Sequence, residues 1–147
     1  MKEIKYRAWD KREEEMCEVI SIDFENKLVR VSCIDRSTVY MDSTHPMTNR
    51  LYKFDRVELL EYTGLKDKNG VEIYEGDLCT DNEDPKKVIE ILWSDNHQWG
   101  CKIVKTDYVL SRNQTFPLWN WDRCERNGSR QLEIIGNIYE NPELLSE

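Results

Sequence analysis

Tyr62-Thr63-Gly64-Leu65-Lys66-Asp67-Lys68-Asn69-Gly70-Val71-Glu72-Ile73-Tyr74-Glu75-Gly76-Asp77-Leu78 carries two turn signals in a short span. Asn69-Gly70 supplies two residues that tolerate positive φ, which predicts a tight type I′ reversal. Gly76-Asp77 predicts a second sharp turn that launches a new strand at Leu78-Cys79. By fold analogy, such a turn-and-launch opens many small SH3-like barrels.

Upstream, Ile4, Tyr6 and Ala8 alternate with Lys5, Arg7 and Trp9 in the two-residue rhythm of a strand. A polar turn over Asp10–Glu15 follows. Met16–Ile22 and Lys27–Ile34 are rich in Val and Ile and flank Asp23-Phe24-Glu25-Asn26, the spacing of a hairpin. Ser37–Asp42 reads as a further strand. Between Ser43 and Phe54 the pattern breaks up around His45-Pro46 into a looping path, because proline removes a donor and restricts the residue before it. A domain boundary is placed there, giving an N-terminal β-rich part, 1–55, and a C-terminal part, 56–147. Arg56–Tyr62 alternates in a way that fits a strand or a helical turn, and strand is preferred.

Downstream, Lys87–Ser94 and Trp99–Lys105 read as a hairpin closed by Asp95-Asn96-His97-Gln98. Tyr108–Arg130 holds Phe116, Trp119 and Trp121 without a sustained period and reads as an aromatic-anchored loop or short helix. Leu132–Tyr139 is the last strand. Asn141-Pro142-Glu143 sets a capping residue, a first-turn proline and an acid at a short terminal helical turn. The expected fold is mainly β: an N-terminal antiparallel part, a C-terminal small SH3-like β-barrel and a short C-terminal helical turn.

With 147 residues, the chain has room for one ordinary domain or two small ones without a disulfide or metal staple. Fifteen aromatics, in a chain that is 34% charged, argue for a folded protein with a heavily solvated surface rather than a disordered acidic segment. No signal peptide or membrane span is read in the sequence. Five scattered cysteines suit free thiols in a reducing bacterial cytoplasm. The net charge of −8 disfavours a broad phosphate-binding surface, because nucleic-acid affinity comes mostly from Lys and Arg on the backbone. Residues 1–64 hold eleven basic and thirteen acidic side chains and residues 65–147 hold ten and sixteen, so the acid excess lies mainly in the second part.

The stretches Lys5-Tyr6-Arg7-Ala8-Trp9-Asp10, Tyr62–Gly70 with Ile73-Tyr74-Glu75-Gly76-Asp77, and Ile134-Ile135-Gly136-Asn137-Ile138-Tyr139-Glu140-Asn141-Pro142 together resemble the YopX family of phage and prophage proteins. They span nearly the whole chain in order. The resemblance implies a mostly β fold, with a β-rich N-terminal part and a small-barrel C-terminal part, carried in a phage or integrated-phage genome. It implies no activity and transfers no catalytic residue.

Candidate chemistry is sparse. Asp67-Lys68-Asn69-Gly70 has calcium-loop composition, but aligning Gly70 with the loop glycine puts Leu65 at the first ligand position, and a hairpin turn explains the same residues. Asp95 and His97 share one turn beside Trp93 and Trp99 and could serve as an acid-base pair, although a solvated hairpin tip is the preferred reading. Cys33, Cys79 and Cys101 sit inside strand patterns and read as small core residues. No catalytic residue, metal site or cofactor is expected.

Tryptophan dominates recognition hot spots and also fills small cores, so Trp99, Trp119 and Trp121 are candidate partner-binding residues with core packing as the competing role. The expected function is non-catalytic binding of a host or phage protein. The alternative is single-stranded nucleic-acid binding through residues 112–130, with Arg112, Arg123, Arg126 and Arg130 beside the tryptophans. Homo-oligomerisation through strand edges stays open.

Overall fold

The structure is a computed structural model that describes residues 3–81, 84–122 and 132–146. The chain is mainly β and divides into two compact units, one of Lys5–Leu60 and one built on the residues from Glu61 onward. Among the described residues no helix is long and apolar enough to cross a membrane.

The N-terminal unit holds β1 (Tyr6–Asp10), β2 (Glu15–Asp23), β3 (Leu28–Ile34), β4 (Met47–Lys53), a 3-10 turn at Phe54–Arg56, and the first residues of β5 (Val57–Lys66). Consecutive strands pair antiparallel, and β5 returns beside β1, giving the order β4-β3-β2-β1-β5 with β6 (Glu72–Tyr74) added beyond. Alternation explains the core. Val29, Val31 and Cys33 of β3 share one face with Ala8, Cys17 and Tyr52, and all are buried with Val57.

Two expectations fail here. Ser37–Asp42 is no strand. The Asp42 carboxylate accepts the Thr44 amide and hydroxyl, and Tyr40 and Thr44 are bridged by a backbone bond, so local side-chain chemistry turns the chain back. Val39, Tyr40 and Met41 are left exposed. The break read over residues 43–54 is also too long, because every residue of β4 from Met47 pairs with β3. Only the few residues around Pro46 loop.

The C-terminal unit continues through β6, β7 (Asp77–Thr80), β8 (Val88–Trp93), β9 (Trp99–Lys105), a 3-10 turn at Val109–Ser111, β10 (Thr115–Pro117), α1 (Trp119–Asp122) and β11 (Glu133–Asn137), ending in a 3-10 turn at Pro142–Leu145. Its five-stranded antiparallel sheet has the order β10-β9-β8-β7-β11. The wiring of the first unit is thus repeated: a four-stranded meander, a short helical turn, and a fifth strand beside the first. The core is Ile73, Cys79, Ile89, Ile91, Cys101, Ile103, Leu118, Trp121 and Leu132. The sheet stays open with β10 and β11 at its edges, so no closed barrel forms from these pairings.

The opening stretch of sequence builds this unit by backbone capture. The reversal is tight, but only Gly70 takes positive φ (81°), not Asn69, so the turn is not type I′. The Gly70 amide bonds the Asp67 carbonyl (3.0 Å), while Asp67 Oδ1 accepts the amides of Asn69 (2.8 Å) and Val71 (2.9 Å). An acid at the first turn position makes a three-residue loop with a left-handed glycine the better solution. Asp67 Oδ2 also accepts the Ile134 amide (3.1 Å), tying this turn to β11. At the second turn, Gly76 (φ 85°) sits with its amide on the Ile91 carbonyl and its carbonyl accepting Ile138, and Asp77 Oδ2 accepts the Tyr74 amide.

At the end of the chain Asn137 Oδ1 accepts the amides of Tyr139 and Glu140. Asn141 does not cap the terminal turn with its side chain; its Oδ1 instead accepts the Asn137 amide, close over Gly136. Pro142 does open that turn, which is 3-10.

Candidate partner-binding face

The β8–β9 hairpin positions the first candidate. Ile89, Ile91 and Trp93 point to one face of β8, opposite Ile103, Cys101 and Trp99 of β9. The loop after Trp93 is closed by the His97 amide on the Ser94 carbonyl (3.0 Å), with His97 in the left-handed region (φ 58°). It repeats the plan of the Asp67–Gly70 turn. The aromatic ladder therefore runs to the end of the sheet, where the core stops. Trp99 is half-buried against the core and Trp93 is 51% exposed, their rings 5.2 Å apart and edge-on.

α1 separates the other pair. Successive helical residues rotate by about 100°, so positions two apart point about 200° apart. Trp119 faces out at 53% exposure, whereas Trp121 is 7% exposed and belongs to the core. The Leu118 amide on the Trp99 carbonyl (3.0 Å) fixes this turn beside β9. Of the three candidates, Trp119 presents a half-open ring, Trp99 contributes a partial one, and Trp121 is structural.

Trp121 is held by a buried polar cluster that the sequence reading missed. Asp81 Oδ2 accepts the Trp121 indole N–H (3.2 Å) and the Lys87 ammonium (3.0 Å), and Oδ1 faces the Asp84 amide (3.3 Å). Thr106 donates to Asp84 Oδ2 (3.3 Å). Asp81 and Lys87 are both buried, so each charge depends on the other. In sequence this is only a charged loop between two strands, with no signal that it folds inward.

Arg112 is exposed and its guanidinium reaches the Thr106 carbonyl (3.4 Å). Arg123, Arg126 and Arg130 lie outside the described residues. Asp95 and His97 are exposed at the hairpin tip. A shallow groove beside Trp93 is lined by Leu92, Asp95, Lys102, Asn113 and Thr115. Its Lys102 faces Glu90 across the strand pair; burial raises the Glu90 carboxyl above its ordinary range, and Lys102 opposes that shift. Further apolar surface lies at Tyr108, Val109 and Leu110, the last 89% exposed.

In the N-terminal unit the built feature is Asp10, fully buried. It takes Arg56 in a two-point ion pair (3.0 and 2.9 Å) and the amides of Arg12 and Glu13. Burial alone would raise its carboxyl; the Arg56 and amide hydrogen bonds outweigh this and hold it below the usual range. Arg56 in turn stacks 3.8 Å over the Tyr52 ring.

The chain matches the family model described as "YopX protein" over residues 5–146. It is also similar to a solved structure, the crystal structure of protein EF1440 from Enterococcus faecalis, at 30% identity and a TM-score of 0.59, with 99% of each chain covered. No curated protein matches.

Proposed function

The chain belongs to the YopX family, and from that premise we propose that it is a non-catalytic phage or prophage accessory protein that binds another protein through its open aromatic side chains, Trp93, Trp99 and Trp119. The carrying observation is the split between neighbouring tryptophans. Trp121 is buried with its indole N–H satisfied, while Trp119 and Trp93 keep half their surface open. Large, half-exposed aromatics are frequent anchors of protein recognition. The strand order of each unit, with a short helical turn before the returning fifth strand, supports a small SH3-like scaffold without a closed barrel. The proposed setting is the bacterial cytoplasm, with no cofactor.

The test is capture of a defined protein partner from host or phage lysate, followed by direct titration with the purified partner. Trp119→Ala is expected to weaken that binding at least tenfold while leaving the fold intact. Unchanged affinity for both Trp119→Ala and Trp93→Ala removes the proposal.

Single-stranded nucleic-acid binding is the second reading. It rests on exposed Arg112, next in sequence to Asn113 of the groove beside Trp93, and the Glu90 partner of Lys102 weighs against it. Mobility shifts of oligonucleotides at low and high salt separate the two, because phosphate contacts weaken steeply with salt. Salt-sensitive retention lost on Arg112→Ala favours nucleic acid.

A further inference from the structure

Cys17 and Cys33 are directly opposed in the central strands of the N-terminal unit. Glu18 pairs with Ser32, so the next step of the same antiparallel ladder sets Cys17 against Cys33. Both thiols are 2% exposed and lie on the core face, with their sulfurs 2.9 Å apart. Non-bonded heavy atoms ordinarily approach to about 3.5–4.0 Å, so the two thiols already crowd each other. Directly opposed residues have Cα atoms about 4.5–5.5 Å apart, within the window a disulfide spans.

We propose that Cys17 and Cys33 form a reversible cross-strand disulfide by exchange with a small-molecule disulfide. One cysteine, deprotonated, attacks the small disulfide and releases one small thiol. The other cysteine, deprotonated in turn, displaces the second. Two protein thiols and one small disulfide become one protein disulfide and two small thiols, and the protons pass to the released thiolates.

The setting also dictates the kinetics. Burial, reinforced by Cys33 and by the nearby Glu15 and Asp10 carboxylates, pushes the Cys17 thiol up, so attack in the closed fold is slow. The first step therefore waits on opening of the strand end. The second is intramolecular and follows at once, so a mixed disulfide does not accumulate.

The other unit supplies an internal control. Cys79 faces Ile89 and Cys101 faces Ile91, so β8 stands between the strands that carry them. Two buried cysteines in the same wiring are thus set two strands apart. The inference is independent of the binding reading above.

The experiment incubates the full chain with glutathione disulfide and glutathione over a range of ratios, then denatures it in excess N-ethylmaleimide for intact mass and peptide mapping. The expected result is a fall from five alkylated thiols to three, a mass loss of two hydrogens, and a peptide joining Cys17 to Cys33, reversed by dithiothreitol. In denaturant the preference for that pair should give way to mixed pairings. Cys33→Ser should lose the crosslink, whereas Cys79→Ser should keep it.

Five alkylated thiols at every ratio, stable glutathione adducts on Cys17 or Cys33 of the unsubstituted chain, or a crosslink between another pair overturns the proposal. So does zinc retained at one equivalent by the reduced chain in place of oxidation, since Glu15, Cys17 and Cys33 also lie within 4.8 Å of one another. The unsubstituted chain alone decides the matter if a serine variant fails to fold.

Discussion

The N-terminal unit closes its meander around an acid whose partner stands at the surface. Asp10 is fully buried, but the Arg56 side chain that meets it keeps a quarter of its surface in water and lies over Tyr52. The C-terminal unit, with the same strand order, closes around an ion pair shut away on both sides, Asp81 with Lys87, and adds the Trp121 indole to it. One core is built largely from Val and Cys, the other from Ile with a tryptophan. One wiring therefore tolerates quite different fillings, and turns and returning strands matter more to the fold than any particular core residue.

Substitutions can break this comparison in graded steps. Asp81→Ala leaves a buried ammonium and an indole N–H without their acceptor and is expected to cost about 3–5 kcal/mol in chemical denaturation. Trp121→Ala empties the same corner and should cost about 3–5 kcal/mol. Asp10→Ala should cost less, about 2–3 kcal/mol, because Arg56 can turn to water when its partner is lost. Equal losses at Asp10 and Asp81 would show that exposure of the cation does not separate the two units.

Acid sharpens the contrast by sign. In the N-terminal unit Asp10, Asp23, Asp35 and Asp42 are all held below the ordinary carboxylate range; for Asp10 burial opposes the bonds that lower it, and for the others hydrogen bonds within their own turns do it. Their contribution is present above the unfolded-state value, about 3.9, and is lost as pH falls through the lower folded values. Glu90 in the C-terminal unit is raised by burial, so protonation relieves it and its contribution runs the other way. Amide exchange followed from pH 6 to pH 3 should show protection lost first in β1–β3, and earlier loss in β8 and β9 would contradict this.

Smaller effects are expected at the glycines. Gly76→Ala meets both a positive φ and the Tyr139 ring 3.2 Å from the new methyl, and should cost about 1–2 kcal/mol. Gly70→Ala has the same backbone strain with open space around it and should cost about 1 kcal/mol. Smallest of all, Trp119→Ala should change stability by no more than about 0.5 kcal/mol. A larger loss there would make Trp119 a packing residue and weaken the binding proposal.

The strands were largely legible because alternation is a strong signal: β1, β2, β3, β8 and β9 lie where Val, Ile and aromatic residues alternate with polar ones. The illegible parts share a cause. At Asp42 and Asp67 a side chain competes with the ladder for backbone amides, and that contest depends on geometry that composition does not carry. The aromatic candidates were legible as a set but not individually, since only the turn of α1 sends Trp119 outward and Trp121 inward. The Asp81 cluster could not be read at all, because its partners are separated by up to 40 positions.

Some of the acids serve the turns directly. Asp10, Asp23, Asp35, Asp42 and Asp67 each accept amides of their own loops.

The returning fifth strand has one more consequence. Because β5 lies beside β1, the segment Lys5–Leu60 begins and ends on neighbouring strands, like a parenthesis opened and closed in a sentence. Such a segment is a natural cassette: it can be grafted into a surface loop of an unrelated host, or its ends joined and new ones cut at the β2–β3 turn, with little rearrangement of the strands it carries.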